Sequence, residues 1–299
     1  MLDIAKLNAF VVVVEESNIS KAAVRLNMQQ PPLTRLIKSL EDELGVLLFN
    51  RLPRGVETTQ AGQVLYQEAR SILSHAQSIQ QRLSYIAKGM EGQLRIGFTN
   101  SAGLHAFLPT LLAQYRALYP AVNIHLEEHG SRALTEAILN QKLDIAFLRK
   151  PAAEGLGLTS IHLFDEPLMV ALPIDHPLAE MQESIDMADL AQDDFVLYRR
   201  LNGQDLYDHI LSLCLQAGFR PRIIQETPRL TLSLNLIAAG IGISIVPQSI
   251  QHFWNKQIIY KAIHAENSCN APVYAIYSDA KENIYVQHIL ELLKTISPN

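Results

Sequence analysis

Cysteine is scarce in this chain: Cys214 and Cys269 are its only two, too few for the disulfide framework of a small secreted domain. Long apolar runs are missing too. The longest, Leu236 to Pro247, is interrupted by Gly240, Gly242 and Ser244 and is too short to span a bilayer. The N-terminus shows no export pattern, since Leu2 to Asn8 carries Asp3 and Lys6 and the run Phe10–Val14 ends at Glu15-Glu16. A cytoplasmic protein that does not contact membrane is therefore expected. There is no basic excess either: 25 Lys+Arg against 30 Asp+Glu give a net charge of −5. That total does not suggest nucleic acid, but local placement decides when the binding part is a small fraction of the chain.

Catalytic and metal patterns are absent as well. Among ten histidines, His125 and His129 are four apart but straddle a predicted strand end, without the helix and glutamate of a zinc protease. Gly240-Ile-Gly242-Ile-Ser precedes a strand where a dinucleotide loop would follow one. Asp165-Glu166 has no nucleophile and base beside it, and Cys214 sits on an apolar helix face, as a buried thiol does. Neither catalysis, metal nor cofactor is expected.

What is present begins with size: 299 residues, 48% hydrophobic and 18% charged, suit about two globular domains. The segment Ser20–Glu41 reads as two short helices joined by a tight turn. Ser20 suits an N-cap, with Ala22, Ala23 and Leu26 on the inner face of the first helix. Asn27-Met28 interrupts the pattern. Pro31-Pro32 fits only the first turn of the next helix, where a missing N–H costs nothing. From there Leu33, Leu36, Ile37, Leu40 and Leu44 recur at helical spacing, leaving Gln30, Thr34, Arg35 and Lys38 on the opposite side. Gln and Arg match adenine and guanine edges, Thr a base edge or thymine methyl, and Lys38 a phosphate. This is a helix-turn-helix suited to the major groove of double-stranded DNA; the alternative is a solvated surface helix.

A long helix is predicted next. Leu65, Ala69, Ile72, Ala76, Ile79, Leu83 and Ile86 alternate spacings of four and three, the a/d seam of a coiled coil, until Gly89 and Gly92 end it. At 1.5 Å per residue it is roughly 40 Å long. Self-association through this seam would set two recognition helices at a fixed spacing, matched to a pseudo-palindromic site; packing of the helix on its own domain is the alternative.

From about residue 93 strands and helices alternate. Leu94–Phe98, Phe107–Leu118, Val122–Glu127, Leu134–Asn140 and Ile145–Leu148 form a β-α-β-α-β run that calls for a parallel sheet. Strands at Leu168–Leu172, Phe195–Tyr198, Arg222–Glu226 and Ile241–Val246 follow, with helices over Leu206–Ala217 and Leu230–Ala239; Tyr274–Tyr277 and a helix Ile284–Ile296 close the chain. Gly240 reads as a helix C-cap and Pro247 as a strand stop. Two α/β lobes joined by strands crossing near Phe164 and Ala265 fit this order. Ligands in such sheets sit beyond strand carboxyl ends, near helix N-termini. Three segments qualify: Thr99-Asn100-Ser101, Gly130-Ser131-Arg132 and Arg200-Leu201-Asn202-Gly203-Gln204. Each alone is an ordinary N-cap, but together they would make a carboxylate cleft.

The residues Phe10 to Glu16, Ala22-Ala23, Leu26, Gln30-Pro31, Thr34, Ile37, Leu40-Glu41, Leu44-Gly45, Leu48-Phe49-x-Arg51, Arg54, Thr58, Gly62 and Leu65 resemble the LysR-type transcriptional regulators. The resemblance continues weakly through the whole chain. It implies a winged helix-turn-helix at 1–60, a linker helix at 61–90 and an α/β two-lobed, periplasmic-binding-protein-like effector domain at 91–299. Lobe I would be 91–163 plus 266–299, and lobe II 164–265. By resemblance Gln30, Pro31, Thr34 and Arg35 face the groove, with Gln29 standing where the family often has Ser or Ala. Arg51 and Arg54, around Pro53-Arg54-Gly55, lie on the wing. Effector contacts are expected at Thr99, Asn100, Ser101, Ser131, Arg149, Asn202, Gly203, Gln204 and Leu206.

The chain is most similar to the muconate- and benzoate-responsive branch, in which the equivalents of Ser101 and Ser131 hold a carboxylate. Arg149 and Glu166 match positions of a second, more apolar pocket. Gln204 and Leu206 depart from that branch, which has Pro and Phe there. The resemblance further implies a homotetramer built as a dimer of dimers, RNA polymerase as a candidate partner, and an aromatic or dicarboxylic acid as effector of an activator or repressor. Two other classes stay open at this level: a transport solute-binding protein, and a small-molecule enzyme with a fused DNA-binding head.

Overall fold

The computed structural model describes residues 3–53, 55–181, 184–198, 206–253, 256–264, 269–280 and 282–296. The chain divides into two compact units, Met1–Ala87 and Lys88–Asn299.

The first unit begins with α1 (Ile4–Glu16), capped by the Asp3 side chain, which accepts from the Ala5 amide at 2.8 Å. α2 (Ile19–Arg25) is capped by Asn18, whose Oδ1 accepts from Lys21 N at 3.1 Å. The expected cap, Ser20, lies one residue inside α2 instead. Asn18 is two residues earlier in extended backbone, where a cap belongs. Asn27 takes the left-handed conformation (φ 51°), which turns the chain tightly into α3 (Gln30–Leu44). Pro31 and Pro32 occupy the first turn of α3, and Gly45 (φ 70°) ends it. Leu33, Ile37 and Leu40 bury against Leu7, Phe10, Val13, Ala22 and Ala23. Each such large core side chain contributes about 2–5 kcal/mol against truncation to alanine.

The strands β1 (Phe49–Leu52) and β2 (Gly55–Thr58) form an antiparallel wing. Glu41 fixes its base, accepting from the amides of Leu48 (2.8 Å) and Phe49 (3.2 Å). α4 (Gln60–Ala87) follows, 28 residues and roughly 42 Å long. Gly62 lets α4 cross the chain closely, since a Cβ there would stand 2.2 Å from the Leu48 carbonyl oxygen. The first half of α4 belongs to the head: Ala69 is in its core, with Leu65, Tyr66 and Leu73 packed on it. Two of the seven expected seam residues, Leu65 and Ala69, are thus engaged within their own unit. Ile72, Ile79, Leu83 and Ile86 stay exposed, Ile79 and Leu83 at 58% and 61%.

In the second unit, β3 (Glu91–Phe98), α5 (Asn100–Gly103), α6 (Phe107–Leu118), β4 (Ala121–Glu128), α7 (Ser131–Leu139) and β5 (Ile145–Leu148) build the first lobe. The long strand β6 (Leu158–Pro173) crosses to the second lobe. There α8 (Pro177–Met181), β7 (Ser184–Ile185), β8 (Asp194–Tyr198), α9 (Leu206–Gln216), β9 (Arg222–Thr227), α10 (Leu230–Ala238), β10 (Ser244–Pro247) and β11 (Ile258–Ile263) follow. β12 (Asn270–Ser278) returns, and α11 (Ile284–Thr295) packs on the first lobe.

The main sheet has eight strands in the order β4-β3-β5-β12-β6-β11-β7, with β10 also on β6. β4, β3 and β5 are parallel, as the β-α-β-α-β reading requires. The sheet as a whole is mixed. β6 and β12 carry the chain out to the second lobe and back, so they pair antiparallel, and β12 is antiparallel to β5 as well. β6 starts ten residues before the expected Leu168 and serves both lobes. Its first part pairs with β12, and Leu168–Pro173 with β10 and β11. The early part is half-buried and mixed in polarity, hence invisible as an apolar run. β10 starts at Ser244, three residues after the expected Ile241, because Gly240 and Gly242 hold positive φ (78° and 67°). The expected return point Ala265 lies outside the described residues.

Candidate functional site

On α3 the structure sorts the residues as the periodicity demands. Leu33, Ile37 and Leu40 are buried, while Gln29, Gln30, Pro31, Arg35 and Lys38 are exposed and Thr34 is half-buried. Gln30 is oriented from α2, its Oε1 accepting from the Ser20 hydroxyl at 3.0 Å. Thr34 donates its hydroxyl back to the Gln30 carbonyl at 3.0 Å, leaving its methyl and an oxygen lone pair on the helix surface. Among the described residues no ion pair engages Arg35 or Lys38, whereas Arg25 is bound to Glu15 (2.8 Å) and Glu16 (3.1 Å). Those acidic partners hold the Arg25 pKa above its usual value. Arg51 is exposed on β1; Arg54 lies outside the described residues. The ridge therefore offers two uncommitted cations and two glutamines at the start of a helix. Such a ridge can meet both base edges and phosphates. Sequence reasoning missed Ser20 as the group that orients Gln30, having assigned it to a cap.

The second unit holds a cleft of about 350 Å³. Thr99, Asn100 and Ser101 follow β3, and Gly130 and Ala133 stand at the start of α7; across from them lie Tyr198, Pro228 and Arg229 of the second lobe. The cap residues Gly130 of α7 and Arg229 of α10 make no side-chain cap bond of their own. Thr99 is 7% exposed, and its hydroxyl has no hydrogen-bond partner among the described residues. Asn100 spans the lobes. Its Oδ1 accepts from the Leu230 amide at 3.3 Å, and its Nδ2 donates to Glu128 Oε1 at 3.3 Å.

The cleft floor is a buried ion pair. Arg149 Nη2 lies 2.6 Å from Glu166 Oε2 and also donates to the Ser101 carbonyl (2.8 Å). Its Nη1 donates to the Ala271 carbonyl (3.0 Å) and its Nε to Ser101 Oγ (3.3 Å). Glu166 Oε1 accepts from the Ser249 amide at 2.7 Å, so the pair ties both lobes to the crossing strand. Beside it lies His105. Burial depresses its pKa, Glu166 acts against this and Arg149 with it, and its Nδ1 accepts from Phe107 N at 3.1 Å.

The expected site residues separate on inspection. Thr99, Asn100, Ser101 and Arg149 line the cleft. Ser131 is buried in the first turn of α7, between the lining residues Gly130 and Ala133. Leu206 lines a neighbouring cavity of about 290 Å³ with Arg149, Lys150 and His209. Asn202, Gly203 and Gln204 lie outside the described residues. Sequence reasoning missed Glu128 and Arg229. Glu128 closes β4 three residues before α7 and Arg229 stands one residue before α10, so only their facing positions disclose them. His125 and His129 each meet one oxygen of Glu127 at 3.2 Å. Among the described residues no three potential ligands gather for a metal, and no helix is long and apolar enough to cross a membrane. Cys214 is buried, and burial pushes its thiol up to about 12.

Comparison with known proteins finds a match for each of the two units. Residues 4–63 match the model of the bacterial regulatory helix-turn-helix protein, lysR family, and residues 87–296 that of the LysR substrate binding domain. The chain is 34% identical over 294 residues to the HTH-type transcriptional regulator AlsR of Bacillus subtilis, covering 97% of this chain and 95% of that one. It is 33% identical over 296 residues to the regulator BenM of Acinetobacter baylyi, covering 99% and 96%. Full-length CbnR complexed with its target DNA superposes with a TM-score of 0.85 at 26% identity, covering 98% of this chain and 99% of that one. Full-length BenM gives 0.64 at 31% identity, covering 99% of each. A helix-turn-helix head and a two-lobed α/β domain on one chain, both matched in this way, make it a member of the lysR family of DNA-binding transcriptional regulators with a small-molecule effector domain.

Proposed function

We propose that this regulator is switched by a carboxylate effector bound between the lobes of its second unit. The observation that carries this is Thr99: a buried hydroxyl without a partner among the described residues, at a cleft where α7 begins on Gly130, which has no side chain to cap it. A carboxylate oxygen there would accept from Thr99 and from the first amides of α7, gaining charge-assisted hydrogen bonds in a partly dry site. Ser101 and Ser131 extend that donor set, and the Arg149–Glu166 pair holds its floor. An aromatic or dicarboxylic acid is the effector class this reading favours. Because Asn100 already bridges the lobes, a ligand that binds one lobe spacing better than another shifts the population of the two.

The reading extends to the rest of the molecule. Gln29, Gln30, Pro31, Thr34, Arg35 and Lys38 read a major groove, with Arg51 and Arg54 on the flanking phosphates or minor groove. The exposed stripe Ile72, Ile79, Leu83 and Ile86 pairs two chains, and dimers pair again to a tetramer. On the same reading the protein binds its effector without turnover and works in the cytoplasm. The test is a thermal-shift screen of carboxylates on the full chain, followed by DNA affinity and footprint with each hit. A hit should raise the unfolding midpoint by mass action, alter the footprint, and lose its effect in Thr99→Val or Ser131→Ala while operator binding persists. Confirmed binding with unchanged affinity, footprint and DNA bend would sink the switch.

A further inference from the structure

We propose that Arg229 is a specificity residue that selects effectors carrying a second acidic group; this rests on the carboxylate-cleft reading above. The first-lobe wall supplies neutral donors, Thr99, Ser101 and the start of α7. The cations of the cleft are Arg149 and Arg229. Arg149 is committed: it is buried and bound to Glu166 and to two backbone carbonyls. Arg229 is not. Its Nε stands 3.9 Å from Glu128 Oε1, beyond hydrogen-bond distance, with side chains 67% and 36% exposed. An ion pair of that length and exposure is weak and readily exchanged. Glu128 keeps its hydrogen bond from Asn100 when Arg229 leaves, so the exchange orphans no buried group. Arg229 also N-caps α10 on the second lobe, facing the wall where the first carboxylate would sit. A dianion can therefore bridge the walls, one end on the neutral donors and the other on Arg229, while a monoanion leaves Arg229 with Glu128.

Calorimetric titration of the full chain with trans,trans-muconate and with sorbate tests this, because the two six-carbon dienes differ only in the second carboxylate. The wild-type chain should bind muconate about tenfold or more tightly than sorbate, the scale of one charge-assisted contact. Arg229→Gln should erase the preference, and Arg229→Lys should restore part of it by keeping the charge. Glu128→Gln, which removes the competing carboxylate, should raise muconate affinity more than sorbate affinity. An unchanged ratio in Arg229→Gln, or equal binding of the two acids by the wild-type chain, overturns the assignment and leaves the carboxylate cleft standing. Failure of both acids to bind removes the cleft reading and this assignment together.

Discussion

Truncating Glu166 is the sharpest test of how the second unit is held together. In Glu166→Ala the Arg149 guanidinium, whose side chain is 2% exposed, loses its 2.6 Å partner. It keeps the carbonyls of Ser101 and Ala271, which cannot neutralise its charge, and the Ser249 amide loses its acceptor. Breaking a buried pair from one side costs about 3–5 kcal/mol, because the remaining ion stays desolvated. Domains are stable by about 5–15 kcal/mol, so the variant should fold but lie much closer to unfolding. The penalty belongs to the charge left behind and not to the lost attraction. The double variant Arg149→Met/Glu166→Leu should accordingly be more stable than Glu166→Ala alone. Amide hydrogen exchange over β5 and β6 reads the second unit separately from the head, where a single melting curve would mix them. A double variant no more stable than Glu166→Ala would refute the reasoning, as would a Glu166→Ala penalty below about 1 kcal/mol, the value of an exposed pair.

Arg35→Ala should cost about 1–3 kcal/mol of discrimination between operator and random DNA if Arg35 reads a guanine edge; anisotropy titrations showing equal loss on both would move it to a phosphate. Ile79→Asp should convert the assembly to smaller species by light scattering, since Ile79 is exposed on α4 and would bury its charge only against a second chain. An unchanged mass would end the seam reading. Stability of the second unit should fall in mild acid. Burial holds His105 and His288 below the usual histidine value near 6.5. The unfolded chain therefore binds protons more readily, and stability is lost as pH drops from about 6.5 toward the lower folded values. His105→Asn, which keeps an acceptor for the Phe107 amide, should lose less stability between pH 7.5 and 5.5; equal losses would contradict the assignment.

The head was legible from its residues because its signals are local. The spacing of Leu33, Ile37 and Leu40 predicts which face of α3 is buried, and Pro31-Pro32 marks its first turn, within a residue or two of what is observed. The parallel β3, β4 and β5 followed in the same way from alternating elements. Errors arose where two local readings competed. Ser20 and Asn18 are both able caps, and only the backbone geometry chooses Asn18. Leu65 and Ala69 carry a seam pattern that does not say which surface they meet, and the head core claims them.

The sequence by itself determined the periodic faces, the turns and the donor-bearing segments after strands, since these depend on neighbours within a few residues. Tertiary structure decided everything that joins distant positions. It brought Asn100 to Leu230, Arg149 to Glu166 and Glu128 to Arg229, and it ran β6 through both lobes. Pairings of that kind leave no periodic trace, because each is set by how whole elements stack and not by the residues on either side.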